Sequence, residues 1–336
     1  PPRAEIEAEV EAFRDFITSQ SKDLTQGDKL SQMLLSPIAD QLDDQRLIIV
    51  GNGKLQLLPF AALPLPNSSE TAPLIVNHEI VTLPSFTSLA VQREQWANRP
   101  QAQKTLAVFA DPVFNPRDSR LGGTVEDTSQ DLSDFTNLVR AGCNDPKRLE
   151  YTQEEAEMLL AQVPDAQEFK ALGFDVNRNT VTSSQLEQYQ MVHLATHGCI
   201  QDNPLLSSLA LSLYSEQGEK LDGLLRLQDI FNLQLNAELV VLSACQTAVG
   251  EDVRGEGVIG LTRGFMYAGA ERVVVSLWSV NDLATSRLMG DYYQQMLEEE
   301  LDPLAALREA QLKMWESEQW TAPYYWAAFT LQGEWQ

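Results

Sequence analysis

His197 and Cys245 are the two residues of this sequence whose side chains could work together as a base and a nucleophile. The apolar run 191–196 leads into His197, and the apolar run 238–244 leads into Cys245. Both runs predict buried strands. Functional side chains collect just past the carboxyl ends of parallel strands, so we expect the imidazole and the thiol to meet at one edge of a sheet.

These two residue types predict covalent catalysis on a carbonyl group. A thiol with an ordinary pKa near 8.5 supplies little thiolate at neutral pH, so a neighbouring imidazole has to take its proton. Gly198 has no side chain, which would let a substrate backbone approach beside His197. The backbone N–H groups of Gly198 and Cys245 are the predicted donors to an oxyanion. Either residue alone would more often be structural, since a cysteine after an apolar run is commonly an inert buried thiol.

Longer motifs around both residues are similar to those of one family. The segments HLATHG (193–198) and LSACQT (242–247) resemble the histidine and cysteine motifs of CHAT domains, the caspase-like cysteine peptidase domains related to caspases and separases. The histidine also precedes the cysteine by the caspase interval of about 50 residues. Further segments match along the chain, and the resemblance extends from about residue 40 to the end: 57–63, 254–257, 264–265, 268–270, 276–282 and 323–329.

The resemblance implies a fold and a reaction. It implies an α/β, caspase-like fold with a mainly parallel central sheet and helices on both faces. Cys245 would be the nucleophile and His197 the general base in the hydrolysis of a peptide bond in a protein or peptide substrate. No metal or organic cofactor is implied. An upstream helical-repeat or sensor module would regulate the activity.

The resemblance also suggests residues that bind the substrate. In separase-like relatives, acidic groups near the position of Asp282 help to bind a basic residue on the acyl side of the cut. Asp202 and Asp252 are weaker candidates for the same role, and a solvated carboxylate or a helix cap is an equally good interpretation of Asp282. A caspase-like preference for Asp would instead need an arginine, for which Arg254 and Arg263 are available.

Two other functions fit the same residues. The domain could be a non-proteolytic signalling or scaffold module that keeps the fold and the dyad, and Ala248, where the family often has Gly, is compatible with that. It could also use the dyad for acyl transfer or transpeptidation.

Composition excludes several other classes of protein. The net charge of −24 argues against binding to nucleic acid or to an anionic membrane. No run approaches the ~18–20 apolar residues that a spanning helix needs. The three histidines have no metal-ligand spacing. The three cysteines show no pairing scheme, which predicts free thiols and a cytoplasmic location.

The sequence predicts two parts, with alternating strands and helices typical of a doubly wound sheet. A helical segment at 1–45 would join an upstream region, and the domain at 46–336 would comprise a small first half (46–112), a surface insertion (115–147) and a catalytic half (150–336). A hairpin is predicted around residues 51–53, and a capping box from Thr152 to Glu155. Helices are predicted over 4–19, 28–42, 87–96, 152–162, 256–268, 284–299 and 303–315, and strands over 46–50, 55–58, 80–83, 105–109, 191–196, 207–213, 238–243, 272–277 and 327–332.

Overall fold

A central sheet of eight strands organises the chain. The computed structural model describes residues 1–42, 46–66, 72–97, 99–122, 143, 146–201, 203–243 and 256–336. In spatial order the strands are β1 (Leu47–Ile49), β2 (Ile80–Thr82), β11 (Phe329–Gly333), β10 (Arg272–Ser276), β9 (Leu239–Leu242), β5 (Tyr189–Ala195), β3 (Lys104–Ala110) and β4 (Glu168–Leu172).

The sheet is mainly parallel, which confirms the predicted fold class. Neighbouring strands are parallel throughout except at the β10–β11 pair, where the direction reverses. A second, antiparallel sheet contains β6 (Gly198–Cys199), β7 (Ser208–Ala210) and β8 (Leu224–Arg226). The strand predicted at 207–213 therefore lies outside the central sheet.

Apolar side chains alternate between the two faces of the central sheet. On β5, Met191 and Ala195 join one buried cluster, whereas Val192 and Leu194 join the other. This alternation follows from the two-residue period of a strand. Helices cover both faces, as predicted: α1 (Arg3–Thr18), α2 (Asp28–Leu34), α3 (Phe86–Trp96), α4 (Thr152–Leu160), α5 (Arg178–Val181), α6 (Leu227–Phe231), α7 (Glu256–Tyr267), α8 (Asp282–Leu297), α9 (Pro303–Trp315) and α10 (Pro323–Trp326).

Helix α1 packs through its apolar stripe into the buried cluster on one face of the central sheet. Val10, Phe13 and Ile17 are buried in the same cluster as the helices of that face. The guanidinium of Arg14 donates hydrogen bonds to the carbonyl oxygens of Leu57, at 2.9 Å, and Leu277, at 3.0 Å. Burial lowers the pKa of Arg14 to about 10. The boundary predicted at residue 45 stays a prediction.

Several local predictions are wrong, because long-range pairing overrides local patterns. The predicted hairpin does not form: β1 pairs in parallel with β2, and Gly53–Leu57 is a 3-10 helix. The capping box is also absent, since Tyr151 caps α4 without a side-chain hydrogen bond. Strand β4 was missed because its partner, β3, is distant in sequence.

Candidate active site

His197 lies just past the carboxyl end of β5. The chain passes from Ala195 through Thr196 and His197 into β6, which begins at Gly198. The carbonyl of His197 accepts a hydrogen bond from the N–H of Ala210 at 2.8 Å, and the Thr196 hydroxyl donates to the Ala210 carbonyl. These bonds fix the backbone where the chain leaves the central sheet, and they hold the imidazole at its carboxyl edge.

The strand register aligns the sequences that lead to His197 and Cys245. Leu194 of β5 is paired with Leu242 of β9, and each of the two candidate residues follows its leucine by three positions. Neighbouring strands lie about 4.8 Å apart. Cys245 itself lies outside the described residues, whose stretch ends here at Ser243. The dyad therefore stays a prediction, and the register favours it.

The imidazole of His197 is buried and held by a backbone carbonyl. Its Nε2 lies 2.6 Å from the carbonyl oxygen of Lys147, and its ring centroid lies 5.1 Å from that of Phe114. A carbonyl oxygen can only accept, so Nε2 carries the proton of this hydrogen bond. In the neutral imidazole, Nδ1 is then the nitrogen that can take a proton from another group.

Gly198, the predicted oxyanion donor, directly follows His197. It begins β6 and lies opposite Leu209 in the small antiparallel sheet. Its backbone is therefore fixed beside the imidazole. The oxyanion role stays a prediction, and its second donor, Cys245, lies outside the described residues.

Asp282, the preferred pocket residue, lies in the first turn of α8. The helix is capped by Asn281, whose side-chain oxygen accepts from the N–H of Ala284 at 2.9 Å, so Asp282 is not the cap. Its Oδ2 accepts a hydrogen bond from the N–H of Tyr151 at 2.9 Å. Its Oδ1 is buried, and no partner for it is found among the described residues. Asp202 and Asp252 lie outside the described residues.

Burial and neighbouring carboxylates raise the pKa of Asp282 to about 6. Desolvation is the largest cause, and the charges of Glu155, Glu150 and Asp111 act in the same direction. The hydrogen bond from Tyr151 opposes them. The carboxyl group is therefore neutral in mild acid and anionic at neutral pH, where it attracts a cation.

One segment, which we define as the strap (residues 146–151), contacts both His197 and Asp282. The carbonyl oxygen of Lys147 accepts a hydrogen bond from the imidazole of His197, and the N–H of Tyr151 donates one to the carboxylate of Asp282. Four residues of extended chain span at most about 14 Å. Both side chains therefore lie within reach of one short peptide at this edge of the sheet.

Asp111, which sequence reasoning missed, anchors the strap. It directly follows β3, is 2% exposed and has a left-handed φ of 56°, which Asp adopts more readily than most residues. Arg148 of the strap donates hydrogen bonds to both oxygens of the Asp111 carboxylate, from Nε at 2.8 Å and from Nη2 at 2.7 Å. Arg120 adds a bond to the same carboxylate at 2.8 Å. Its place past a predicted strand was the signal that could have revealed it.

A disulfide between Cys143 and Cys199 corrects the prediction of free thiols. The bond joins the stretch before the strap to β6, two residues after His197. The cysteines are buried beside Phe114 and Ala210. The cytoplasmic location rested on unpaired cysteines, and it stays a prediction without that support.

His193, the other histidine of β5, belongs to a buried polar cluster. Its Nε2 lies 2.7 Å from Oε1 of Glu155, and its Nδ1 lies 3.2 Å from the hydroxyl of Tyr293. The side chains of His193 and Glu155 are fully buried. This cluster ties β5 to α4 and α8, so His193 supports the strand that carries His197.

The described part of the chain contains neither a cluster of metal ligands nor a membrane-spanning helix. Within it, no three His, Cys, Asp or Glu side chains cluster as a metal site requires. No helix in the same part combines the length and the hydropathy that crossing a bilayer takes.

Comparison with known proteins finds one matching family and two similar relatives by sequence. The family model of the CHAT domain matches residues 24–334. Tetratricopeptide repeat protein 28 of Homo sapiens is 28% identical over 303 residues, which cover 86% of this chain. The protein of the same name from Mus musculus is 39% identical over 110 residues, 33% of this chain. The matched regions are 12% and 4% of those relatives, so this chain spans a small part of their length.

Solved structures are similar in fold. The Arg-specific cysteine proteinase gingipain R (RGPB) gives a TM-score of 0.51 at 11% identity, covering 93% of this chain and 67% of that chain. Separase, in the Saccharomyces cerevisiae separase–securin complex, gives a TM-score of 0.48 at 15% identity, and the match covers 85% of this chain and 15% of that chain. At such identities the likeness to gingipain R shows a shared caspase-like fold.

Proposed function

Because this chain belongs to the CHAT domain family, we propose that it is a caspase-like cysteine endopeptidase with His197 and Cys245 as its catalytic dyad. The observation that carries the proposal is the imidazole of His197, which is buried at the carboxyl edge of the sheet and oriented through Nε2 by a carbonyl. An imidazole held in this way has Nδ1 as its proton acceptor. The aligned register of β5 and β9 supports Cys245 as the proton donor.

The proposed reaction has two stages. Nδ1 of His197 takes the thiol proton of Cys245, and the thiolate attacks the carbonyl carbon of the scissile peptide bond. The N–H groups of Gly198 and Cys245 would stabilise the oxyanion of the tetrahedral intermediate. His197 then protonates the leaving amine, which leaves an acyl-enzyme. Water activated by His197 hydrolyses the thioester and restores the thiol.

The substrate residue on the acyl side of the cut would be Arg or Lys, bound by Asp282. A buried carboxylate oxygen without a partner among the described residues is costly unless a ligand pairs with it. A guanidinium or ammonium group would supply that partner. The excess of acidic residues also favours basic substrates.

We expect an Asp282→Asn variant to lose about 10²-fold in kcat/KM for an arginine peptide relative to its citrulline counterpart. In the native protein this preference should increase from about pH 5 to about pH 7, because the carboxyl group ionises near pH 6. In the variant it should be small at every pH. Peptide cleavage assayed across this pH range measures both effects. An unchanged preference for arginine over citrulline in the variant would mean that Asp282 does not bind the substrate side chain.

The same variant makes a separate prediction for stability. The pKa of Asp282 is higher in the folded state than its ordinary value of 3.8, so the native protein loses stability as pH rises through about 6. Asparagine does not titrate. We therefore expect the melting temperature of Asp282→Asn to rise relative to native between about pH 5 and about pH 7. A constant difference would show that the carboxyl group is not buried as described.

Helical repeats upstream are the regulatory partner that we propose. The curated relatives are named for tetratricopeptide repeats, and this chain matches only a small part of their length. Such repeats would present or restrain the protein substrate at the edge of the sheet.

A pooled peptide library tests the proposed function. Purified protein and a Cys245→Ala control are incubated with the library, and products and acyl adducts are identified by mass spectrometry. We expect cleavage after Arg or Lys that the control lacks. Adducts on Cys245 without hydrolysis would favour acyl transfer instead. A native protein that neither cleaves nor reacts with thiol-directed peptide probes would favour a scaffold module.

A further inference from the structure

We propose that the ion pair between Asp111 and Arg148 positions His197 for catalysis by holding the Lys147 carbonyl against its Nε2. The inference rests on the proposed peptidase function and adds two positioning residues to it. The connection runs from the end of β3, through the strap, to the end of β5.

The first link is the chelation of one carboxylate by one guanidinium. Nε and Nη2 of Arg148 each bind a different oxygen of Asp111, at 2.8 and 2.7 Å. Two parallel charge-assisted bonds fix direction as well as distance. The Asp111 side chain is 3% exposed, so water does not compete for it. The hydrogen bond that Arg148 donates to Asp111 raises the pKa of Arg148, which keeps the guanidinium charged.

The second link is the peptide between Lys147 and Arg148. Lys147 and Arg148 are exposed, whereas Leu149 is buried. Pro146, on the other side of this exposed pair, is buried as well. The ion pair of Arg148 is the side-chain contact that holds the exposed pair itself to the sheet edge. Since Arg148 immediately follows Lys147, holding its side chain also holds the direction of the Lys147 carbonyl.

The third link is the effect of that carbonyl on the imidazole. The carbonyl selects the form of neutral His197 with its proton on Nε2, which leaves Nδ1 to accept the thiol proton. It also stabilises the imidazolium that forms when the thiol ionises. Loss of the carbonyl would therefore lower the pKa of the imidazolium and raise that of the Cys245 thiol.

Arg148→Met tests the proposal without leaving Asp111 unpaired, because Arg120 still binds the same carboxylate. We expect kcat to fall about 10²-fold, since a small misplacement of a catalytic group has an effect of that size. KM should change little. Arg148→Lys keeps the positive charge but cannot bind both oxygens of Asp111 at once. Its kcat should therefore lie between that of Arg148→Met and that of the native protein.

Alkylation of Cys245 by iodoacetamide gives a readout that needs no substrate. Its pH profile, followed by mass spectrometry of the Cys245 peptide, reports thiolate formation. We expect the profile of Arg148→Met to move to higher pH. Arg178→Met is the matched control: Arg178 also forms ion pairs, with Asp222 and Asp229, and its side chain is 41% exposed, against 39% for Arg148. Its kcat and alkylation profile should stay native.

The outcomes separate this inference from the function on which it rests. If native Cys245 alkylates with the ordinary thiol pKa near 8.5, no dyad is present and the proposed function fails. If native Cys245 ionises at lower pH, and both Arg148 variants match it in profile and kcat, the positioning role alone is overturned. Melting temperatures of all variants identify any that are unfolded at the assay temperature.

Discussion

Replacing His197 with alanine should lower kcat/KM for peptide cleavage by about 10³-fold or more, because one imidazole serves as both base and acid. The same change should abolish the ionisation of Cys245 at low pH, so its alkylation should follow an ordinary thiol with a pKa near 8.5. Steady-state cleavage and alkylation profiles measure the two effects. Activity that survives in His197→Ala would contradict the dyad.

His193→Gln is the matched control for that variant. Both histidines lie on or just past β5, but His193 contacts Glu155 and Tyr293 and takes no part in the proposed chemistry. Glutamine cannot reproduce both contacts of the imidazole, and a buried polar group left without its hydrogen bond costs about 1–3 kcal/mol of the free energy of unfolding. We therefore expect a lower melting temperature for His193→Gln, with a native alkylation profile in the folded protein. A shifted profile would mean that the buried cluster tunes the dyad directly.

Loss of the Cys143–Cys199 bond should lower the free energy of unfolding by about 4 kcal/mol. The bond closes a loop with a sequence separation of 56 residues, and the cost of closing such a loop in the unfolded chain sets this value. Urea unfolding of native protein and Cys143→Ser measures the difference. Cys245→Ser is the control, since it removes a thiol and leaves the disulfide intact.

Thiol counting tests the same bond without mutation. Unfolded, unreduced protein should show one titratable thiol, that of Cys245, and reduced protein should show all three cysteines. Three thiols before reduction would contradict the disulfide. The result would also decide whether thiol reagents can be directed to Cys245 in the native sequence.

Sequence patterns predicted the parts of the fold that local physics determines. Every residue of the runs at 191–196 and 238–243 except Glu238 is buried, so their nearly continuous apolar character was enough to identify β5 and β9. The place of His197 past β5 followed from the same pattern. The caspase-like fold came from the resemblance of longer motifs, which the family match confirms.

Contacts between distant residues could not be predicted in this way. Arg148 and Asp111 are 37 residues apart, and His193 and Glu155 are 38 apart. Such pairs depend on how strands and helices pack, which no local period encodes. The wrong hairpin at residues 51–53 has the same origin, because β1 found its partner in β2 rather than in the next few residues.

The position of β11 has a consequence for synthesis of the protein on the ribosome. This strand is the last of the eight along the sequence, yet it lies between β2 and β10 and connects the β1–β2 pair to the other strands. A nascent chain therefore cannot complete the sheet until residues 329–333 have left the exit tunnel. A premature stop codon that removes β11 would leave the β1–β2 pair without its connection to the other strands of the sheet.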